Sequence, residues 1–67
     1  MSVAKVSEIS ATSSTSFEDA LKQGITRASK TLRNVRSAWV KEQSLRVRKG
    51  SITDYQVNMM VTFVLDD

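Results

Sequence analysis

Residues 55–65 carry the clearest structural pattern in the chain: Tyr55-Gln56-Val57-Asn58-Met59-Met60-Val61-Thr62-Phe63-Val64-Leu65. Every odd position is large and mainly apolar, whereas the even positions mix polar and apolar residues. Because side chains alternate between the two faces of a β-strand, the pattern predicts one buried face and one partly covered face. A strand this apolar is expected in the middle of a sheet rather than at its edge.

The turn sequence Arg48-Lys49-Gly50-Ser51 stands just before this stretch and predicts a β-hairpin. Its strands are predicted over residues 37–48 and 52–65. A strand of about 14 residues spans roughly 45 Å at about 3.3 Å per residue, which is more than one helix can cover. We therefore expect another subunit to pack on the remaining apolar surface.

A helix is predicted over residues 16–34. Apolar residues recur there at helical spacing, forming one stripe: Phe17, Ala20, Leu21, Ile25, Ala28, Leu32 and Val35. Two N-cap registers are available at its start, Thr15 with Glu18 and Ser16 with Asp19. Gly24 falls on the stripe, where it lowers helix stability but permits close approach of a strand.

A further strand is predicted over residues 2–10, which gives the order β-α-β-β. The returning helix makes the first two strands run the same way, and the hairpin makes the third run opposite to them. With the third strand in the middle, every neighbouring pair is antiparallel. The predicted fold class is α+β, with a three-stranded antiparallel sheet around one helix, in a single domain over residues 1–67.

Composition narrows the functional classes. A chain of 67 residues buries only about 60% of its unfolded surface, so oligomerisation is the expected source of extra stability because the chain has no Cys for disulfides. It also has no His, which removes the common zinc patterns and histidine-based catalysis. Neither an enzyme nor a metal site is predicted.

The location and charge of the protein are also indicated by the sequence. No apolar run approaches the roughly 20 residues that span a membrane, and residues 1–5 lack the apolar core of a signal peptide, so we expect a cytoplasmic protein. The net charge is +3, and most cations lie between Lys22 and Lys49. Such a surface attracts phosphate-bearing ligands or nucleic acid.

Trp39 is the candidate binding residue, because a small domain has little interior for an indole and an exposed tryptophan often stacks on a ligand or another chain. Continuous pairing around the turn places it opposite Met60 and places Gln43 opposite Gln56. The face away from the helix then carries Trp39, Gln43, Gln56 and Asn58, unless a bulge intervenes. The same count also places the apolar residues Leu45 and Val47 on that face, which hints at such a bulge.

Trp39 and Gln56 would lie about four residues apart along the sheet, roughly 13 Å. That separation is too large for one chain to hold a single small ring system between them. Across a symmetry axis, however, Trp39 of one subunit would meet Gln56 of a neighbour.

The whole chain resembles the dodecins, a family of small flavin-binding proteins. The matching segments are Ser16-Phe17-Glu18-Asp19-Ala20, Lys30-Thr31-Leu32-Arg33-Asn34-Val35, Trp39, Tyr55-Gln56-Val57 and Val61-Thr62-Phe63-Val64-Leu65-Asp66. The resemblance lies in their order and spacing rather than in one motif. It implies a β-α-β-β fold, with the antiparallel sheet wrapped around the helix and twelve subunits assembled as a hollow homododecamer.

The resemblance also implies a function. Dodecins stack flavins between tryptophans of two subunits, and Trp39 matches that tryptophan in position. In the family a glutamine hydrogen-bonds the edge of the isoalloxazine ring, and Gln56 matches that glutamine. The implied role is storage and photoprotection of FMN, or of riboflavin or FAD. Ser44 and Val64 stand where members that carry coenzyme A have arginines, so coenzyme A is a doubtful ligand here.

A second function class is a small nucleic-acid-binding module that uses Trp39 as a stacking platform and the basic stretch from Lys22 to Lys49. The low aromatic content and moderate charge argue against it, so no nucleic-acid partner is expected. A membrane partner is not expected either.

Overall fold

The computed structural model describes residues 3–65. It contains strand β1 (Ala4–Ser13), helix α1 (Phe17–Thr31), strand β2 (Val35–Arg48) and strand β3 (Ser51–Val64). The sheet order is β1-β3-β2, with both pairings antiparallel. The predicted β-α-β-β fold with the third strand in the centre is therefore confirmed.

The predicted boundaries need correction. The first strand runs to Ser13 rather than residue 10, because residues 10–13 pair with Asn58 to Tyr55 of β3. The predicted start of that strand at residue 2 lies outside the described residues. The helix ends at Thr31 rather than residue 34, since Leu32 already has an extended backbone. The hairpin strands cover 35–48 and 51–64 instead of 37–48 and 52–65.

The start of α1 uses the second of the two predicted cap registers. Ser16 has an extended backbone, and its Oγ accepts a hydrogen bond from the Asp19 amide at 3.0 Å. The Asp19 carboxylate accepts further bonds from the Ser13 hydroxyl and from Gln23 Nε2, each at 2.6 Å. Because Ser13 ends β1, these bonds tie the helix start to the end of the first strand.

The core lies between α1 and one face of the sheet. Ala20, Val57, Met59 and Val61 are completely or almost completely buried. Five further residues of the predicted helix stripe pack around them: Phe17, Leu21, Ile25, Leu32 and Val35. Gly24 is buried against β1 and β3: a Cβ built on it would lie 2.6 Å from Met59 Cε and 3.2 Å from Ala11 Cβ. The predicted close approach of a strand at Gly24 is therefore confirmed.

The β2–β3 pairing is interrupted at three places, where Arg36, Lys41 and Thr53 have no partner in the register. The irregularity at Lys41 matters most, because it lies between Trp39 and the rest of β2. Between the irregularities at Thr53 and Lys41 the register is shifted by one residue, so that Ser44 pairs with Gln56, and Gln43 pairs with Val57. The predicted pairing of Gln43 with Gln56 is wrong because it was counted from the turn without the irregularity at Thr53; the one at Lys41 restores the count before Trp39.

The hairpin extends well beyond the helix. The chain measures 52 × 19 × 13 Å, whereas a helix of 15 residues is only about 22 Å long. Several large apolar side chains of the hairpin are also exposed: Trp39, Val40, Leu45, Val47 and Ile52. Within residues 3–65 no helix is both long and apolar enough to cross a membrane.

Candidate functional site on the open sheet face

The sheet has one face that α1 does not cover, and we call it the open face. On β3 it carries the even positions, which are Gln56, Asn58, Met60, Thr62 and Val64. Each of these is only half-buried, while the odd positions Val57, Met59 and Val61 are buried under the helix. The strand alternation predicted from residues 55–65 therefore separates the core from a candidate binding surface.

Trp39 lies on the open face. It pairs directly with Met60, as predicted, and it is 52% exposed. Directly opposed residues on antiparallel strands have Cβ atoms about 4.5 to 5.5 Å apart, so the indole and the Met60 side chain are neighbours. About half of the accessible surface of this residue is thus left available to a second aromatic surface.

Gln56 also lies on the open face, near the other end of it. Its direct neighbours across the strands are Thr12 on β1 and Ser44 on β2. The amide Nε2 donates a hydrogen bond to the hydroxyl of Ser10 at 3.1 Å. Ser10 is the diagonal neighbour, because it pairs with Asn58 rather than with Gln56. Sequence reasoning missed Ser10, since the bond depends on the register between β1 and β3.

Two polar contacts lie on the open face next to Asn58 and Met60 of β3. Asn58 Nδ2 donates to Glu42 Oε1 at 2.7 Å. The Lys41 ammonium reaches Glu8 across the sheet, with Nζ 3.3 Å and 3.5 Å from the two carboxylate oxygens. Both groups of that ion pair are largely exposed, so it contributes little to stability. The paired carboxylate lies across Met60 from Trp39, on the opposite edge strand of the sheet.

The structure places Trp39 and Gln56 on one face but does not bring them together. Met60, the partner of Trp39, is four positions from Gln56 along β3, which corresponds to about 13 Å. Of the other two residues predicted for this face, Asn58 lies on it, but Gln43 does not. Gln43 is turned to the helix side with Val57, because the bulge at Lys41 reverses the alternation of β2.

The remaining features lie elsewhere on the molecule. The cavity between β1 and α1, which Ile9, Gly24 and Ala28 help to line, is on the helix side of the sheet and includes neither Trp39 nor Gln56. The cations of α1, such as Lys22 and Lys30, are separated from Trp39 by the sheet. A nucleic acid stacked on Trp39 would therefore not contact these helix cations of the same chain.

Comparison with known proteins assigns the family. A family model described as Dodecin matches residues 3–66. Dodecin from Streptomyces davaonensis is 36% identical and superposes with a TM-score of 0.93, over 98% of this chain and 97% of that one. An arginine-to-alanine variant of Thermus thermophilus dodecin is 33% identical, with a TM-score of 0.94 over 100% of both chains.

A third solved structure is described as a calcium-chelating antigen, calcium dodecin, from Mycobacterium tuberculosis. It is 35% identical, with a TM-score of 0.82 over 96% of this chain and 91% of that one. No curated protein sequence matches significantly. Dodecins are small binding proteins rather than enzymes. Since the family model spans nearly all residues and the structural matches exceed 30% identity over almost the full length, this chain belongs to the dodecin family.

Proposed function

We propose that this protein sequesters, stores and photoprotects a flavin by stacking it on Trp39. The observation that carries the proposal is the half-exposed indole on the open face of a dodecin fold. A large aromatic ring that is 52% exposed gains free energy when a flat apolar ring covers it. Gln56 supplies the polar contact, because a primary amide both donates and accepts hydrogen bonds.

The proposed site is shared between subunits of a homododecamer. The 13 Å separation estimated within one chain keeps Trp39 and Gln56 from holding the same ring system. The apolar side chains exposed along the hairpin, among them Val40 and Leu45, also require a covering partner. Twelve chains of 7.5 kDa give an expected particle mass of about 90 kDa.

Photoprotection follows from the chemistry of the stacked pair. An indole in van der Waals contact with an excited isoalloxazine ring donates an electron to it, and back-transfer then returns both rings to the ground state. The excitation is lost before the flavin reacts with oxygen or with the protein. The role proposed for Trp39 is therefore both to bind the flavin and to quench its excited state.

FMN is the proposed ligand, with riboflavin and FAD as the related candidates. The chain carries a net charge of +3, which favours a ligand with a phosphate group over a neutral one. The described residues contain no group of three or more side chains able to hold a metal ion, so calcium is not part of the proposal. Coenzyme A is not part of the proposal, and the proposed location is the cytoplasm.

The test of this function compares Trp39→Ala with Trp39→Phe. Stacking of a flat ring on an aromatic side chain is worth about 1 to 3 kcal/mol, so Trp39→Ala should bind FMN about fivefold more weakly or worse. Trp39→Phe should retain part of the affinity but lose most of the quenching, because benzene donates electrons much less readily than indole. The measurements are a fluorescence titration with FMN and light scattering of each variant.

The outcomes separate ligand stacking from a purely structural role. If Trp39 only packs subunits together, Trp39→Ala breaks the assembly and Trp39→Phe leaves any quenching unchanged. An intact Trp39→Phe particle that quenches FMN fully would therefore refute the mechanism. The nucleic-acid alternative would instead be favoured by a parent protein that ignores FMN but binds single-stranded DNA with a steep salt dependence.

A further inference from the structure

The hydrogen bond between Gln56 and Ser10 bears on how the proposed site recognises its ligand. Gln56 Nε2 donates to Ser10 Oγ at 3.1 Å on the exposed side of the sheet. The bond links the central strand to an edge strand, between residues 46 positions apart in the chain. A glutamine on a sheet surface ordinarily samples several rotamers, and a hydrogen bond to a neighbouring side chain reduces their number.

The bond leaves part of the Gln56 amide available. A primary amide has two N–H donors and a carbonyl oxygen with two lone pairs, and Ser10 uses one of the donors. Thr12 and Ser44, which flank Gln56 directly, form no side-chain bond to it within the described part of the chain. The second N–H and the Oε1 atom are thus free to meet a ligand.

Ser10 is in a rigid position from which it can restrict the motion of the Gln56 side chain. It lies within β1, which pairs with β3 over ten residues, and a serine has only one side-chain torsion between its backbone and its hydroxyl oxygen. Gln56 has three such torsions, and holding a long side chain in one rotamer costs free energy when a ligand binds. A bond that already restricts the amide reduces this cost at the moment of binding.

We propose that Ser10 is a positioning residue, which orients the Gln56 amide so that its free N–H and Oε1 face a ligand edge with adjacent acceptor and donor groups. The inference rests on the proposed function, because the ligand edge in question is that of the flavin pyrimidine ring. Ser10 acts through Gln56 and does not touch the ligand.

The matched test pair is Ser10→Thr and Ser10→Val. These two variants have nearly the same size, shape and strand preference, but only Ser10→Thr keeps the hydroxyl. Ser10→Val should bind FMN roughly two- to tenfold more weakly than the parent, because the amide is no longer held. Ser10→Thr should stay within about twofold of the parent. Light scattering confirms that both particles are intact, and Ser10→Ala replaces Ser10→Val if that variant does not assemble.

A double-mutant cycle with Gln56→Ala completes the experiment. Gln56→Ala alone should lower FMN affinity by roughly two- to tenfold, and adding Ser10→Val to it should lower the affinity no further. An equal loss from Ser10→Val with and without Gln56 would overturn the inference, because Ser10 would then act on the shell or on the ligand directly.

The cycle also separates the two proposals. If Gln56→Ala weakens FMN binding and Ser10→Val does not, only the role of Ser10 is refuted, and the flavin site stands. If the parent protein fails to bind FMN, the proposed function falls and the role of Ser10 falls with it.

Discussion

Gly24 sets how closely α1 packs on the sheet, so Gly24→Ala is the most informative change in the core. The new methyl group would lie 2.6 Å from Met59 Cε and 3.2 Å from Ala11 Cβ. Both distances are shorter than ordinary van der Waals contact. Met59 is only 1% exposed and Ala11 Cβ is fixed directly to β1, so relieving both contacts requires the packing of the core to rearrange.

Two opposing effects decide the sign of the change. Alanine is better than glycine in the interior of a helix by about 1 kcal/mol. Forcing an extra methyl group into a packed core costs about 1 to 3 kcal/mol. Because the two contacts are short and Met59 is buried, we expect the second effect to prevail. The net result should be a loss of about 1 kcal/mol in the free energy of unfolding.

The assay is thermal unfolding at one fixed protein concentration, since the Tm of an oligomer depends on concentration. Ser29→Ala, at an exposed position of the same helix, is the control for helix propensity and should not lower the Tm. Met59→Leu should be tolerated better in the Gly24→Ala background than in the parent, because it removes the methyl group that clashes. A higher Tm for Gly24→Ala than for the parent would refute the packing argument.

Two further predictions concern the ends of the regular elements. Ser16→Ala should lower the free energy of unfolding by about 1 kcal/mol, because it removes the acceptor of the Asp19 amide, whereas Thr15→Ala should cost less; equal losses in thermal unfolding would contradict the assigned N-cap. Lys49 and Gly50 both have positive φ, at 52° and 78°, as in a type I′ turn. Lys49→Asn should therefore raise the free energy of unfolding by about 0.5 kcal/mol in the same assay, and a lower Tm would count against that turn type.

Much of the fold could be predicted because the patterns were strong and local. The alternation over residues 55–65 identified the central strand, and the helical stripe with Gly24 identified the packed face of α1. The end of β1 could not be predicted in the same way. Residues 10–13 are small or polar, and they form a strand only because β3 offers backbone partners to Ser13 and its neighbours.

The site was predicted less completely than the fold. The cross-strand pairing of Trp39 with Met60 followed from counting outward from the turn, and the structure confirms it. The pairing of Gln43 did not follow. The unpaired Thr53 shifts the β2–β3 register by one residue, and the unpaired Lys41 shifts it back, so counting from the turn fails only for the residues between these two positions. The apolar residues Leu45 and Val47 hinted at a bulge, but no residue type gives its position in the sequence, so the local pairing had to come from the structure.

The unpaired Lys41 divides β2 into two halves: odd-numbered residues such as Trp39 face the open side immediately before it, and even-numbered residues such as Ser44 do so immediately after it. Leu45, after it, turns to the helix side with Tyr55. One strand thereby contributes both to the proposed ligand surface and to a packing surface. Its length is constrained: losing a single residue here would move Leu45 onto the open face or Trp39 off it. Evolution and protein engineering should accordingly tolerate many replacements in β2 but almost no insertions or deletions between these two residues.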